Sequence, residues 1–148
     1  MIENMRHVGL VVKDLAKQES FYSALGFRRF KSEIESGRFI EQVTGIDKVE
    51  IEWVKMTLPE GMVLELLKYR QPESQVRCEK AHADRLGCSH IAFTVNQIDE
   101  ICNVIEDNGG SVVNPPEPSS DGQVKVAYCH DPEGILLEIV EENLLIHQ

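Results

Sequence analysis

Hydrophobic and polar positions alternate in two short stretches of this chain. In the first, Val8, Leu10 and Val12 alternate with His7, Gly9 and Val11; in the second, Ile91, Phe93 and Val95 alternate with His90, Ala92 and Thr94. A period of two predicts strands, and it puts each histidine on the less apolar face. Helix-like stretches follow. Asp14 and Asn96 are suitable N-caps, Ile98, Ile101, Cys102 and Ile105 recur at the i, i+3, i+4, i+7 spacing of a buried stripe, and Gly26 and Gly109 end the helices. Later, Pro59-Glu60-Gly61 and Pro132-Glu133-Gly134 read as turns between strands, with 49–56 leading into the first and 124–130 into the second.

These pairs of features are two copies of one unit. Met5-Arg6-His7-Val8-Gly9-Leu10-Val11-Val12 aligns with Cys88-Ser89-His90-Ile91-Ala92-Phe93-Thr94-Val95, and each helix-ending glycine lies 19 positions after its histidine (26 − 7 and 109 − 90). Pro59-Glu60-Gly61-Met62-Val63-Leu64-Glu65-Leu66-Leu67 aligns with Pro132-Glu133-Gly134-Ile135-Leu136-Leu137-Glu138-Ile139-Val140, the second glutamate of each lying six after the proline (65 − 59 and 138 − 132). Each unit is therefore expected to be βαβββ, over about 5–70 and 88–142, together making one domain over 1–148. The interval from histidine to proline is 52 positions in the first copy and 42 in the second (59 − 7 and 132 − 90). The ten extra residues fall within 26–49, as a lid or substrate-facing loop or as a solvated edge insertion. Residues 72–87 read as a linker, and 114–122, rich in proline and serine, as a surface loop.

Charge and cysteine content narrow the function classes. Twenty-five acidic against 15 basic residues give a net charge of −10, which repels phosphate backbones and leaves no basic stripe for nucleic acid. Cys78, Cys88, Cys102 and Cys129 have neither Cys-x-x-Cys spacing nor the density of a disulfide scaffold, so reduced thiols are expected. No apolar run approaches the roughly 20 residues that span a bilayer. Met1-Ile2-Glu3-Asn4 is not the basic start of a secretory signal, and the expectation is a cytoplasmic protein with a small-molecule partner and no membrane association.

Four polar residues stand where core strands should be apolar. Glu65 interrupts Met62-Val63-Leu64 and Leu66-Leu67, and Glu138 interrupts Ile135-Leu136-Leu137 and Ile139-Val140. Burying an unpaired carboxylate costs several kcal/mol. One such charge could find an arginine, and a lone strand histidine is ordinarily a hydrogen-bonded core residue. Two repeat-related carboxylates with two repeat-related imidazoles, His7 and His90, point instead to a shared divalent cation, for which carboxylate and neutral imidazole are natural ligands. Trp53 is expected in the core or lining a groove, Tyr69 and Tyr128 at most lining a pocket, and His82, His130 and His147 exposed.

The pattern resembles the vicinal-oxygen-chelate superfamily, which includes glyoxalase I, methylmalonyl-CoA epimerase, extradiol dioxygenases and the fosfomycin and bleomycin resistance proteins. The resemblance runs from about Met5 to Glu142. It rests on His7-Val8-Gly9-Leu10-Val11-Val12-Lys13-Asp14-Leu15 with Phe21-Tyr22-Ser23-Ala24-Leu25-Gly26-Phe27, on His90-Ile91-Ala92-Phe93-Thr94-Val95, and on Asp131-Pro132-Glu133-Gly134 leading to Glu138. It implies an α+β fold of two βαβββ modules whose mixed sheets form a cup (the glyoxalase/bleomycin-resistance/dioxygenase fold). It also implies one divalent metal, Ni, Co, Zn or Mn, on His7, Glu65, His90 and Glu138, and a homodimer.

A His-Glu-His-Glu set is similar to small bacterial glyoxalase I. Extradiol dioxygenases and fosfomycin-resistance enzymes carry histidine at the position of Glu65, and methylmalonyl-CoA epimerase usually carries glutamine there. The implied chemistry is a metal-dependent lyase or isomerase moving a proton next to a metal-bound carbonyl, with Glu138 or Glu65 as the base. Glyoxalase I typically has an arginine where Val11 stands and an asparagine where Tyr69 stands, both holding glutathione; their absence implies another substrate. The alternatives are an acyl-CoA epimerase, with Glu41, Glu50 or Glu52 as a second carboxylate and Arg28, Arg29 or Arg38 near the phosphates, an extradiol-type dioxygenase, or a non-catalytic resistance-type binding protein.

Overall fold

A computed structural model describes residues 1–75 and 79–143. Cys78 and His147 lie outside the described residues. The chain divides into two compact units, Met1–Arg77 and Cys78–Gln148.

In the first unit, β1 (Val8–Val11) leads to α1 (Leu15–Ala24), β2 (Arg28–Ser36), α2 (Arg38–Thr44), β3 (Glu50–Thr57) and β4 (Val63–Gln71). The sheet order is β1-β4-β3-β2, with β1 parallel to β4 and the other pairs antiparallel. Helix α1 starts where expected, because the Asp14 carboxylate accepts a hydrogen bond from the Lys17 N–H at 3.0 Å. Its inner face buries Leu15, Gln18, Phe21 and Tyr22 on the side of the sheet that carries Leu10, Leu64, Leu66 and Met56, all 9% exposed or less. The turn after β3 closes through the Gly61 N–H donating to Leu58 O at 3.0 Å, and Gly61 has φ 87°, a left-handed conformation that favours glycine.

The second unit repeats the plan: β5 (Ile91–Val95), α3 (Ile98–Asp107), β6 (Ser111–Val112), β7 (Glu117–Pro118), β8 (Val124–His130) and β9 (Leu136–Glu142). Its sheet runs β5-β9-β8-β6, with β5 parallel to β9 and β7 also paired to β8. The predicted stripe is present in α3, with Ile98, Cys102 and Ile105 buried and Ile101 half-buried. The predicted cap is not. Gln97 occupies the N-cap position without a side-chain hydrogen bond, and the Ile98 N–H donates to Glu141 Oε2 on β9 at 2.6 Å. A carboxylate from the neighbouring strand thus does the work expected of Asn96.

The extra residues of the first copy form no loop. The 26–49 stretch that contains them holds the nine-residue edge strand β2, almost wholly exposed, and the short helix α2, whose Ile40 packs with Ile46 against Val49, Ile51 and Trp53. The loop expected over 114–122 contains the short strand β7, paired with Lys125 and Val126.

Candidate metal centre

Strand register places the two predicted pairs in equivalent positions. Gly9 on β1 lies opposite Glu65 on β4, and Ala92 on β5 lies opposite Glu138 on β9. Each histidine precedes that small residue by two positions, so it shares the glutamate's face of the sheet. A side chain of one carbon or none opposite the glutamate leaves room for the imidazole to reach across. His7 Nε2 stands 2.8 Å from Glu65 Oε2, and His90 Nε2 stands 2.8 Å from Glu138 Oε2.

The four residues come together as two pairs, one in each unit. Within either unit, and among the described residues, no third His, Cys, Asp or Glu joins the pair to hold an ion. The pairs differ in exposure. The Glu65 side chain is 11% exposed and Glu138 25%.

Hydrogen bonding around His90 bears on what the pair can hold. The Ser89 hydroxyl donates to Ala83 O at 2.9 Å, and its oxygen lies 3.0 Å from His90 Nδ1. With its one proton committed, Ser89 accepts from Nδ1–H, so a neutral His90 presents the Nε2 lone pair to the Glu138 carboxylate. Two acceptors facing each other are satisfied by a cation between them, and a hydrogen bond from the far ring nitrogen is the usual support of a metal-bound histidine. The separation also suits a metal. Donors bound at about 2.0–2.2 Å and roughly at right angles are about 3 Å apart. Each pair, an imidazole and a carboxylate, is therefore a donor set that fits part of a divalent ion's coordination.

Other predicted residues divide clearly. Tyr128 lies directly opposite Glu138, its ring 5.3 Å from that of His90 in an edge-on contact, and it lines a cavity of about 420 Å³ together with Lys80, Ser111, His130 and Leu136. His130, expected to be exposed, is 7% exposed with Nε2 2.8 Å from Ala81 O; the 79–83 segment covers it, which local sequence does not reveal. His82 is exposed. Trp53 is buried on the Glu65 face, with Leu67 and Tyr69 beside it, and Val11 stands 47% exposed on the same face. The carboxylates considered for an epimerase are otherwise engaged: Glu50 and Glu52 pair with Arg70, Glu41 accepts from the Lys48 N–H, and Glu52 points away from the Glu65 face. Arg29 is held by Glu19 through two 2.6 Å hydrogen bonds, while Arg28 and Arg38 are exposed.

Sequence reading missed the two small residues opposite the glutamates and the pair Lys31 and Lys55 beside Trp53. The first had a signal, since glycine and alanine recur two after each histidine. The second needed the pairing of β2 with β3.

Of the four cysteines, Cys88 is exposed and Cys102 and Cys129 are buried, all three free. Burial, with neighbouring Cys102, pushes the Cys129 thiol up to about 12, and burial also raises Cys102. Both thiols therefore stay protonated at neutral pH, which leaves neither an activated nucleophile.

Two mixed sheets, each with a parallel pair joining its first and last strands and a His–Glu pair on that seam, define a class of duplicated α+β proteins. The chain belongs to the glyoxalase/bleomycin resistance protein/dioxygenase superfamily, whose family model matches residues 4–139. It is 31% identical over 147 residues to a lactoylglutathione lyase of Pseudomonas aeruginosa, covering 93% of this chain and 82% of that one. It is 38% identical over 57 residues to a probable lactoylglutathione lyase of Synechocystis, covering 38% of this chain and 44% of that protein, so the match spans less than half of that relative. Among solved structures, a glyoxalase family protein from Bacillus cereus superposes with a TM-score of 0.89 at 26% identity, covering 96% of this chain and 95% of the other. No helix among the described residues is long and apolar enough to cross a membrane.

Proposed function

We propose that the protein is a metal-dependent lyase or isomerase of the glyoxalase I type, transferring a proton next to the carbonyl of a small thioester or hemithioacetal substrate. The observation that carries this reading is the repeated pair: the same two donor types, in the same register, with the same 2.8 Å separation in both units. In this reading His7, Glu65, His90 and Glu138 hold one divalent ion, Ni, Co, Zn or Mn. Such an ion supplies Lewis-acid polarisation of a bound carbonyl, which acidifies the neighbouring C–H. Half a shell on each unit is incomplete alone, and the homodimer implied by the family resemblance belongs to the same proposal.

The remaining chemistry falls to the chain. Glu138, the more exposed carboxylate, accepts the proton at Oε and returns it, while Glu65, the less exposed of the two, serves as a fixed ligand. Tyr128 braces the His90 ring, and Ser89 fixes its orientation. Val11, Leu67 and Trp53 give the Glu65 face an apolar wall. Where glyoxalase I has arginine and asparagine for glutathione, this face has Val11 and Tyr69, so the substrate is a compound other than a glutathione adduct. The epimerase alternative loses support because Glu41, Glu50 and Glu52 are committed to other partners.

The test is a screen of α-hydroxythioesters and acyl-CoA thioesters for solvent deuterium exchange, followed by variants at matched metal occupancy. Glu138→Gln should lower exchange by about 100-fold or more, because an amide oxygen still coordinates but accepts no proton. Glu65→Gln should keep more activity. Near-normal turnover in Glu138→Gln would exclude it as the base, and absence of metal binding by the native chain would overturn the reading as a whole.

A further inference from the structure

One cross-strand row of the first unit runs Gly9, Glu65, Lys55, Lys31 over β1, β4, β3 and β2. Directly paired residues share a face of the sheet, so Lys55 and Lys31 lie on the Glu65 face, one and two strands away. Like charges directly opposite each other destabilise a sheet, yet Lys31 and Lys55 are paired across β2 and β3. Both ammonium groups lie over one ring: Lys55 Nζ is 4.9 Å and Lys31 Nζ 5.6 Å from the centroid of Trp53. The indole is 5% exposed and fixed from the other side of the cluster by Ile40 and Ile46.

Two arginines of this unit are neutralised. Arg29 is paired with Glu19, and Arg70 with Glu50 and Glu52. Among the described residues, neither Lys31 nor Lys55 has a carboxylate partner, in a chain carrying 25 acidic residues. Two ammonium groups over one aromatic ring, neither in an ion pair, with Glu65 assigned to the metal, form a site for an external anion.

We propose that Lys31, Trp53 and Lys55 form an anion subsite of the Glu65-centred site, so that the substrate carries a second oxyacid group, carboxylate or phosphoryl, away from its chelating oxygens. Strand spacing puts that group about 5–10 Å from the metal-binding carboxylate. The inference rests on the reading of Glu65 as a metal ligand. It adds that the substrate is a compact dianion, and it names Lys31 and Lys55 as the residues that select it.

Trp53 is the chain's only tryptophan, so its emission reports directly on the subsite. The nickel-loaded full chain is titrated with 2-oxoglutarate and with 2-oxopentanoate, which has the same carbon skeleton with a methyl in place of the distal carboxylate. A parallel pair, 3-phosphoglycerate and glycerate, reads the phosphoryl preference. At least one of 2-oxoglutarate and 3-phosphoglycerate should bind about tenfold more tightly than its matched monoanion, as expected for a charge-assisted contact. The Lys31→Met/Lys55→Met variant should lose that preference while nickel affinity, measured by calorimetry, stays unchanged. Equal binding within both pairs, or a preference that survives the double substitution, overturns the subsite and leaves the metal reading intact. If the native chain binds none of nickel, cobalt, zinc and manganese, the metal reading fails and the subsite is judged alone. Inorganic phosphate or succinate should then change Trp53 emission in the native chain and not in the double variant; no such difference overturns the subsite too.

Discussion

Nickel should raise the melting temperature of the chelator-treated protein, and loss of any one of His7, Glu65, His90 and Glu138 should abolish the rise. An ion at about 100 times its dissociation constant stabilises the folded state by about 2.7 kcal/mol. For a chain of 148 residues, each kcal/mol corresponds to about 2–4 °C, so the expected shift is about 5–10 °C. The metal-free variants should also differ from one another. His7→Ala removes the imidazole 2.8 Å from Glu65, whose side chain is 11% exposed, and leaving a buried acceptor unmet costs about 1–3 kcal/mol. His90→Ala leaves Glu138 at 25% exposure, where water replaces the partner, and the cost should stay within about 1 kcal/mol. Scanning fluorimetry with and without NiCl₂ reads the shifts, and calorimetry reads the stoichiometry. One ion per chain, lost in all four variants, is the expected result. Two ions per chain, with each variant losing one, would show two independent His–Glu sites and refute the shared centre.

Three further outcomes follow from the packing. Gly61 and Gly134 share φ 87° in matching turns, but a Cβ on Gly134 would collide with the Glu79 backbone whereas Gly61 has open space; in urea denaturation Gly134→Ala should cost more than Gly61→Ala, which should cost about 1 kcal/mol. Equal costs would show that the 79–83 segment does not pack there in solution. Ile105, fully buried in α3, should lose about 2–5 kcal/mol on Ile105→Ala, and a loss under 1 kcal/mol would contradict its place in the core. For Cys129, the folded thiol sits near 12 against an ordinary 9.0, so the unfolded chain ionises first: this contribution is intact below pH 9 and is lost as pH rises from 9 toward 12. Peptide mapping after iodoacetamide at pH 8 should find Cys88 modified and Cys102 and Cys129 protected until unfolding.

The repeat, helices α1 and α3, the two turns and the residues of the His–Glu pairs were legible in the sequence because each depends on local periodicity or on comparing one half with the other. Val8 to Val12 and Ile91 to Val95 carry their own alternation, and Glu65 and Glu138 stand out against apolar neighbours. What escaped was set by contacts distant in sequence. Glu141 replaces Asn96 at the start of α3 only because β9 passes beneath it, His130 is buried only because 79–83 folds over it, and Lys31 meets Lys55 only through the register of β2 on β3. The bulge between Arg29 and Lys31 shifts that register by a residue, so counting back from the turn would misplace the pair.

Each unit is closed by a parallel pairing of its first strand with its last, and the histidine and glutamate sit on that seam, separated by 58 positions in one copy and 48 in the other (65 − 7 and 138 − 90). The pair therefore does not form within any short local segment: the chain must close that long loop and dock its first strand on its last before the imidazole meets the carboxylate. Loop closure over such a distance is among the slower steps of folding. An ion seated on the seam would act as a clasp across that loop, removing denatured-chain entropy much as a cross-link does. Ion capture would then serve as a checkpoint of completed folding, and a chain whose first strand came loose would lose its metal before it lost its core.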